Sequence, residues 1–263
     1  MSARIVGGNG APRQHPVATS LASKTQSPRH ISPTHWAELL DGSGITPALA
    51  AANFRSFGPG FADPEAERQA LLAEAFAQLN PQPGHSYQAR LKLQQRYAHL
   101  DGGGWRFIGD ALPGCAPTPR WKPDQPRISS NGRPIKYEAQ PGRRPGLLLP
   151  QVPITVWRLI AERHGLPMPA DRSAGFWAWV LAHPELPVTL CEGEKKSCSV
   201  LSLGLVAVGL PGVELGRQVL ARDAKNRATA EALVPELAEL AKGGRRLLIA
   251  FDTDPKPATR LKV

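Results

Sequence analysis

Three cysteines in 263 residues, Cys115, Cys191 and Cys198, are too few and too scattered for a disulfide framework. None forms a C-x-x-C pair, so a structural zinc ribbon has no ligand set here. No apolar run approaches the ~20 residues of a bilayer-spanning helix, and no membrane partner is expected. The first 30 residues carry Arg4, Arg13, Lys24 and Arg29 without an apolar stretch and do not read as a secretory signal. The expectation is a cytoplasmic protein. No internal repeat is visible, and no G-x-x-x-x-G-K run offers a P-loop; Gly204, Gly209 and Gly212 read as turn positions. His35, His164 and His183 lack a metal-site spacing and read as surface or packing residues. Acidic residues are also short, 22 against 32 basic ones, and the net charge of +10 favours a polyanionic partner, nucleic acid first.

What is present is enough for one sizeable domain or two small ones. Apolar residues make up 41% of the chain, with 27 Pro and 25 Gly, which suggests globular parts joined by irregular segments. Four stretches differ in character. Residues 1–30 are basic, aperiodic and expected to be disordered. Residues 31–115 form a helical region with a mixed end. In it Ser32-Pro33 and Thr46-Pro47 read as helix starts, the second helix running through Asn53, and 65–79 as a further helix. Residues 91–100 fit a strand or a short helix, and Gly104-Trp105-Arg106-Phe107 a strand. Residues 116–150 are the basic centre, with seven basic and two acidic residues over 117–146 and a hairpin signal at Asn131-Gly132. Residues 151–263 return to helix and then, in a core over 186–263, alternate strand and helix. Strands are expected over 188–191, 205–210 and 247–251, and helices over 195–203 and 228–242, a pattern for a parallel sheet.

Two of those strands deliver acids at their carboxyl ends, where open α/β sheets place their sites. The first ends Leu190-Cys191-Glu192-Gly193-Glu194, and Gly193 permits a sharp turn and close approach of a backbone or phosphate. The second ends Phe251-Asp252-Thr253-Asp254, two carboxylates on one side of an extended segment. Such a pair can share Mg²⁺, or Mn²⁺ in its place, with phosphate oxygens completing the shell. The plainer alternatives stay open: Glu192 as a first-turn acid, and Asp254-Pro255 as a helix start. Lys195 and Lys196 either meet phosphate or form a solvated basic face.

These strand tips resemble the Toprim domain shared by bacterial primases, topoisomerases and some nucleases. A closer resemblance is to a Toprim-like family of unknown biochemical activity found in plasmid replication proteins of cyanobacteria and other bacteria. It rests on an ordered series over 32–263: His35-Trp36 with Ser43-Gly44-Ile45, Gly103-Gly104-Trp105, Lys122-Pro123-Asp124 with Pro126-Arg127, and Ile135-Lys136-Tyr137-Glu138. Phe176-Trp177-Ala178-Trp179-Val180, Cys191-Glu192-Gly193-Glu194-Lys195-Lys196, Leu210-Pro211-Gly212-Val213, and Phe251-Asp252-Thr253-Asp254 with Lys256-Pro257 continue it. The resemblance implies a Toprim-like, Rossmann-like parallel sheet behind a helical and small β-rich basic N-terminal region. It implies Glu192 as the catalytic carboxylate, Asp252 and Asp254 as Mg²⁺ ligands, and Arg133, Lys136, Lys195 and Lys196 as nucleic-acid contacts.

The implied function is primase-related: Mg²⁺-dependent phosphoryl or nucleotidyl transfer in DNA replication. The implied partners are DNA, single-stranded or a plasmid origin, with nucleotides, and a replicative helicase-like module in cis or trans. A non-catalytic DNA-binding initiator, a Toprim nuclease and an inactive fragment are the alternatives. A primase-type zinc module is missing. Because the resemblance calls for a further helix, strand and Lys-Gly-x-Asp-Asp motif past Val263, the chain is expected to be C-terminally incomplete.

Overall fold

The computed structural model describes residues 25–79 and 83–252. Most of the expected basic tail (1–24) and Asp254 therefore lie outside the described residues. The tail's last six residues belong to the fold, contrary to expectation. Buried Ile31 anchors them, the Trp36 indole donates to Thr25 O at 3.1 Å, and His30 O accepts the Ser56 N–H at 2.9 Å.

The N-terminal half runs α1 (Pro33–Leu40), α2 (Pro47–Asn53), β1 (Phe54–Phe57), α3 (Pro64–Leu79) and α4 (Pro83–Arg96). A 3₁₀ turn, Ala98–Gly102, then leads into β2 (Gly104–Phe107) and β3 (Arg120–Pro123). Helix α1 starts as its sequence dictates, with Ser32 Oγ accepting the His35 N–H at 3.1 Å and Pro33 in the first turn. Thr46 also occupies an N-cap position, but its side chain caps nothing; its N–H donates to Ser202 Oγ at 2.9 Å. The ambiguous stretch 91–100 is the end of α4 followed by the 3₁₀ turn.

The C-terminal half runs α5 (Ile154–Arg163), α6 (Gly175–Ala182), β4 (Val188–Glu192), α7 (Glu194–Ser202) and β5 (Ala207–Leu210). Then come β6 (Arg217–Arg222), β7 (Ala228–Leu233), α8 (Pro235–Leu240) and β8 (Leu247–Ala250). Among the described residues three sheets result: antiparallel β1-β2-β3, parallel β5-β4-β8, and an exposed ribbon of β6 and β7. The ribbon corrects the helix expected over 228–242. Pro235 cannot sit inside a helix but can open one, so only 235–240 is helical. Upstream, 228–233 pairs with 217–222 across a turn in which Asn226 adopts a left-handed φ of 60°. Gly209 is likewise inside β5 and not at a turn.

The Asn131-Gly132 hairpin is held by a bridge between Ile128 and Pro134, with the Ile135 N–H donating to Arg127 O at 2.8 Å. Its base is pinned by backbone bonds between Trp121 and Glu138 and by Arg127, whose fork reaches the buried Glu138 carboxylate at 2.6 and 3.1 Å.

Strand alternation gives the antiparallel sheet two different faces. Phe54, Trp105 and Phe107 join one apolar cluster with Leu39, Leu49, Val188, Leu190, Val208 and Leu240, so both halves share a core. Phe57 and Trp121 face the other way, onto Leu71, Leu72, Tyr97 and Leu100. Arg245 is buried and donates to the carbonyls of Val180, His183, Leu186 and Leu240, tying the ends of α6 and α8 to the entry of β4. Among the described residues no helix is long and apolar enough to cross a membrane.

Candidate functional site

Strand β4 lies between β5 and β8, and its first four residues are buried while Glu192 emerges exposed. A central strand of a parallel sheet is covered on both faces, which is why Val188-Thr189-Leu190-Cys191 reads as a continuous run. Cys191 pairs in register with Ala250, so Glu192 and Asp252 leave neighbouring strands at the same end of the sheet. Lys196, one turn into α7, reaches both: its Nζ is 3.9 Å from Glu192 Oε2 and in direct contact with Asp252 Oδ2. One ammonium thus sits between two exposed carboxylates.

The turn that aims Glu192 needs a glycine. Gly193 has φ 85° and ψ 170°, a region open only to glycine at low cost, and its N–H donates to Leu210 O at 2.9 Å. Its carbonyl lies so close to β5 that a Cβ on Gly209 would be 2.6 Å from Gly193 O.

Glu194, next in sequence and outside the acidic pattern that marks Glu192 and Asp252, is the buried acid here, 1% exposed. Its Oε2 accepts from Arg120 Nη1 at 3.1 Å, while Oε1 is buried with no hydrogen-bond partner among the described residues. Arg120 crosses from β3, also donates to Pro211 O at 3.2 Å, and stacks its guanidinium 4.2 Å from the Tyr137 ring centre. Burial, followed by the Glu194 charge, pushes the Tyr137 phenol up to about 12, so it stays a neutral donor near pH 7. Arg120, Tyr137, Glu192, Glu194, Lys195 and Lys196 all line one cavity of about 210 Å³.

Lys195 is less available than its sequence position suggests. Its Nζ binds Glu38 Oε1 at 2.8 Å, and Glu38 Oε2 takes Lys122 Nζ at 3.0 Å and the Trp105 indole N–H at 3.3 Å. Burial disfavours the Glu38 anion, but the hydrogen bonds and charges of Lys195 and Lys122 outweigh it and hold the carboxyl below its ordinary range. A second cavity, about 470 Å³, runs along the other side of α7 past Ser43, Cys191, Lys195, Lys196 and Ala250. Burial pushes the Cys191 thiol up to about 11, which keeps it a protonated, unreactive lining group.

Arg133 and Lys136 are exposed on the 127–138 loop and do not line the 210 Å³ cavity; the inward residue of that motif is Tyr137. The structure therefore brings Glu192, Asp252, Lys195 and Lys196 together, leaves Arg133 and Lys136 outside the cavity, and does not describe Asp254. Glu194, Arg120, Tyr137 and Glu38 are additions. An acid in the first turn of a helix was the only signal for Glu194, since its partner Arg120 is 74 positions away.

Among the described residues no group of three His, Cys, Asp or Glu side chains is placed to hold a metal. A Ser–His–Asp set elsewhere is structural. His35 contacts Ser56 Oγ at 2.7 Å through Nδ1 and Asp124 at 3.0 Å through Nε2. Ser56 is buried, and its oxygen already accepts the Ser32 N–H at 2.8 Å, so it cannot reach a substrate.

Fold and site together define a mixed α/β protein with a small parallel sheet and a charged cavity at its carboxyl-terminal edge. Residues 176–263 match the model of a family described as a domain of unknown function, DUF3854. The chain is 35% identical over 265 residues to an uncharacterized protein of Picosynechococcus sp. (strain ATCC 27264 / PCC 7002 / PR-6), a match covering 97% of this chain and 25% of the relative. The chain thus spans about a quarter of the length of the curated relative it matches. No solved structure matches it. The family match takes in Glu192, Glu194, Lys195, Lys196 and Asp252; Glu38, Arg120 and Tyr137 come from outside it.

Proposed function

We propose that this chain carries a Toprim-like site for Mg²⁺-dependent phosphoryl or nucleotidyl transfer on nucleic acid, within a primase-related replication protein. The observation that carries this reading is the convergence of Glu192 and Asp252 on the Lys196 ammonium. Two carboxylates already arranged around one cation are a hard-oxygen donor set that suits Mg²⁺, which needs only one or two protein carboxylates beside water and phosphate. Glu192 and Asp252 would hold the ion; Asp254, the other carboxylate of the sequence motif, lies outside the described residues. When bound, it would supply charge neutralisation at phosphate and acidify an attacking hydroxyl.

The remaining work falls to the chain's own side chains. Where Glu192 does not itself hold the ion, its exposed carboxylate can instead accept a proton from an attacking hydroxyl. Lys196, released from the carboxylates, can meet a phosphate oxygen. Arg120 is held rigid by Glu194, Pro211 O and Tyr137 and presents a fixed positive charge to the same cavity. Arg133 and Lys136 lie exposed where a phosphate backbone could pass.

The test is primer synthesis on single-stranded DNA with labelled nucleotides and Mg²⁺. Glu192→Gln and Asp252→Ala should each lose about 100-fold or more of the wild-type yield. Equal yields from all three, or none from the wild type, would contradict the assignment.

A second reading is a non-catalytic DNA-binding initiator, favoured by the charge of +10 and the exposed Arg133 and Lys136. Its affinity for DNA would fall steeply with salt and survive Asp252→Asn.

A further inference from the structure

The antiparallel sheet has a second charged surface on the face opposite Arg120 and Lys122. Arg55 of β1 and Arg106 of β2 are direct cross-strand partners, followed in the same row by Trp121 of β3. Like charges placed opposite each other destabilise a sheet unless something neutralises them. One carboxylate, Glu67, is present: its Oε2 takes Arg106 Nη1 at 2.9 Å and also the Trp121 indole N–H at 2.8 Å. Arg106 Nε stays buried and unpartnered among the described residues. Arg55 reaches no carboxylate there; its Nη1 donates to the carbonyls of Ala51 and Phe54, both at 2.7 Å, which fix the guanidinium in place.

The imbalance is felt by the neighbours. Burial and then the Arg106 charge lower the Arg55 pKa, and burial and then the Arg55 charge lower that of His30. With Arg29 and Phe61 these groups border an open cavity of about 500 Å³. That volume is far larger than a phosphate ion and within the range of small-ligand sites. Guanidinium forks match phosphate oxygens two at a time, and an aromatic face is what a nucleobase stacks on.

We infer that this cavity is a nucleotide-binding site, with the phosphate held by Arg55, Arg106 and Arg29 and the base against Phe61. The ligand can come from a free nucleotide or from one unit of a strand; the recognising chemistry is the same. The site shares no residue with the Glu192–Asp252 edge and does not rest on the function proposed for it.

Titration calorimetry on the full chain tests this with four probes: inorganic phosphate, a deoxynucleoside, the corresponding monophosphate, and a short single-stranded oligonucleotide. The monophosphate should bind more tightly than phosphate or nucleoside alone. Arg29→Gln and Arg55→Lys should weaken it about tenfold, the latter because a lysine keeps the charge but not the fork. Phe61→Ala should abolish the advantage of the nucleotide over phosphate while leaving phosphate binding intact. If a strand is the source, the oligonucleotide binds tighter still, and its salt slope drops by ~0.7 in Arg29→Gln, which loses a charge, but not in Arg55→Lys, which keeps it. Circular dichroism and thermal melts of each variant separate lost binding from lost folding.

Wild-type binding by Arg29→Gln and Arg55→Lys, both folded, would overturn the inference, as would the absence of saturable monophosphate binding. With no divalent cation added, so that the strand-tip carboxylates have nothing to bridge them to phosphate, Asp252→Asn and Glu192→Gln should bind the monophosphate like the wild type. A loss in those two alone would place the nucleotide at the strand tips and refute this site.

Discussion

Glu194 is the side chain whose environment is hardest to satisfy. It is buried, one oxygen depends on Arg120, and the other meets no donor among the described residues. Removing one partner of a buried pair strands the other charge, so Glu194→Ala and Arg120→Ala should each cost about 3–5 kcal/mol in urea denaturation. Replacing both at once, Arg120→Met with Glu194→Leu, should cost clearly less than the sum of the single losses. Additive losses would mean that the two residues do not act as a pair.

Glu38 gives a pH signature of the opposite kind. Its folded carboxyl titrates below the ordinary 4.5, so on acidification the unfolded chain takes up the proton first. The stability it contributes is whole above about pH 4.5 and is lost as pH falls through the depressed value. Glu38→Gln should cost about 1–3 kcal/mol at pH 7 and flatten the fall of thermal stability between pH 5 and 3. An unchanged slope in the variant would rule out the Lys195–Glu38–Lys122 bridge as its source.

At the scale of elements, the β4–α7 turn depends on two glycines, Gly193 in the turn itself and Gly209 in β5. Gly209→Ala would drive a Cβ into the Gly193 carbonyl at 2.6 Å, a backbone contact that cannot swing aside. The expected loss is about 1–3 kcal/mol in urea denaturation, because the turn itself must shift. A variant as stable as the wild type would show that β5 and the turn are not in close packing.

This dependence also shows what local pattern can and cannot reveal. Helices opened by Ser32-Pro33 and Pro47 were legible because each signal lies within a few residues of the structure it starts. Residues 228–233 carry a helical signal but form a strand, since Ala and Glu favour helix and only pairing with 217–222 makes a strand of them. Gly209 looked like punctuation because its partner, Gly193, is brought near only by parallel pairing.

For the whole molecule, the site is a meeting of four stretches, those around Glu38, Arg120–Tyr137, 192–196 and Asp252. Lys195 finds Glu38 157 positions away, Glu194 finds Arg120 74 away, and Lys196 finds Asp252 56 away. That Glu192 and Asp252 leave neighbouring strand ends was legible because an apolar run followed by an acid is a local pattern, and a parallel register brings such ends together, although β8 is largely exposed where β4 is buried. The Arg120–Tyr137 side was not, since nothing in residues 116–150 marks which of seven basic side chains turns inward. A shared apolar core holds the two halves in contact, so the cavity is built by the fold as a whole and not by the parallel sheet alone.

The most direct measurement is Mn²⁺ binding, followed by electron paramagnetic resonance, in the wild type and in three variants. The wild type is expected to bind saturably, and Glu192→Gln and Asp252→Asn to bind at least tenfold more weakly. Lys196→Met is expected to bind more tightly than the wild type, because its ammonium no longer competes for the two carboxylates. Binding indifferent to both carboxylates, or weakened by Lys196→Met, would contradict a cation site at these strand tips.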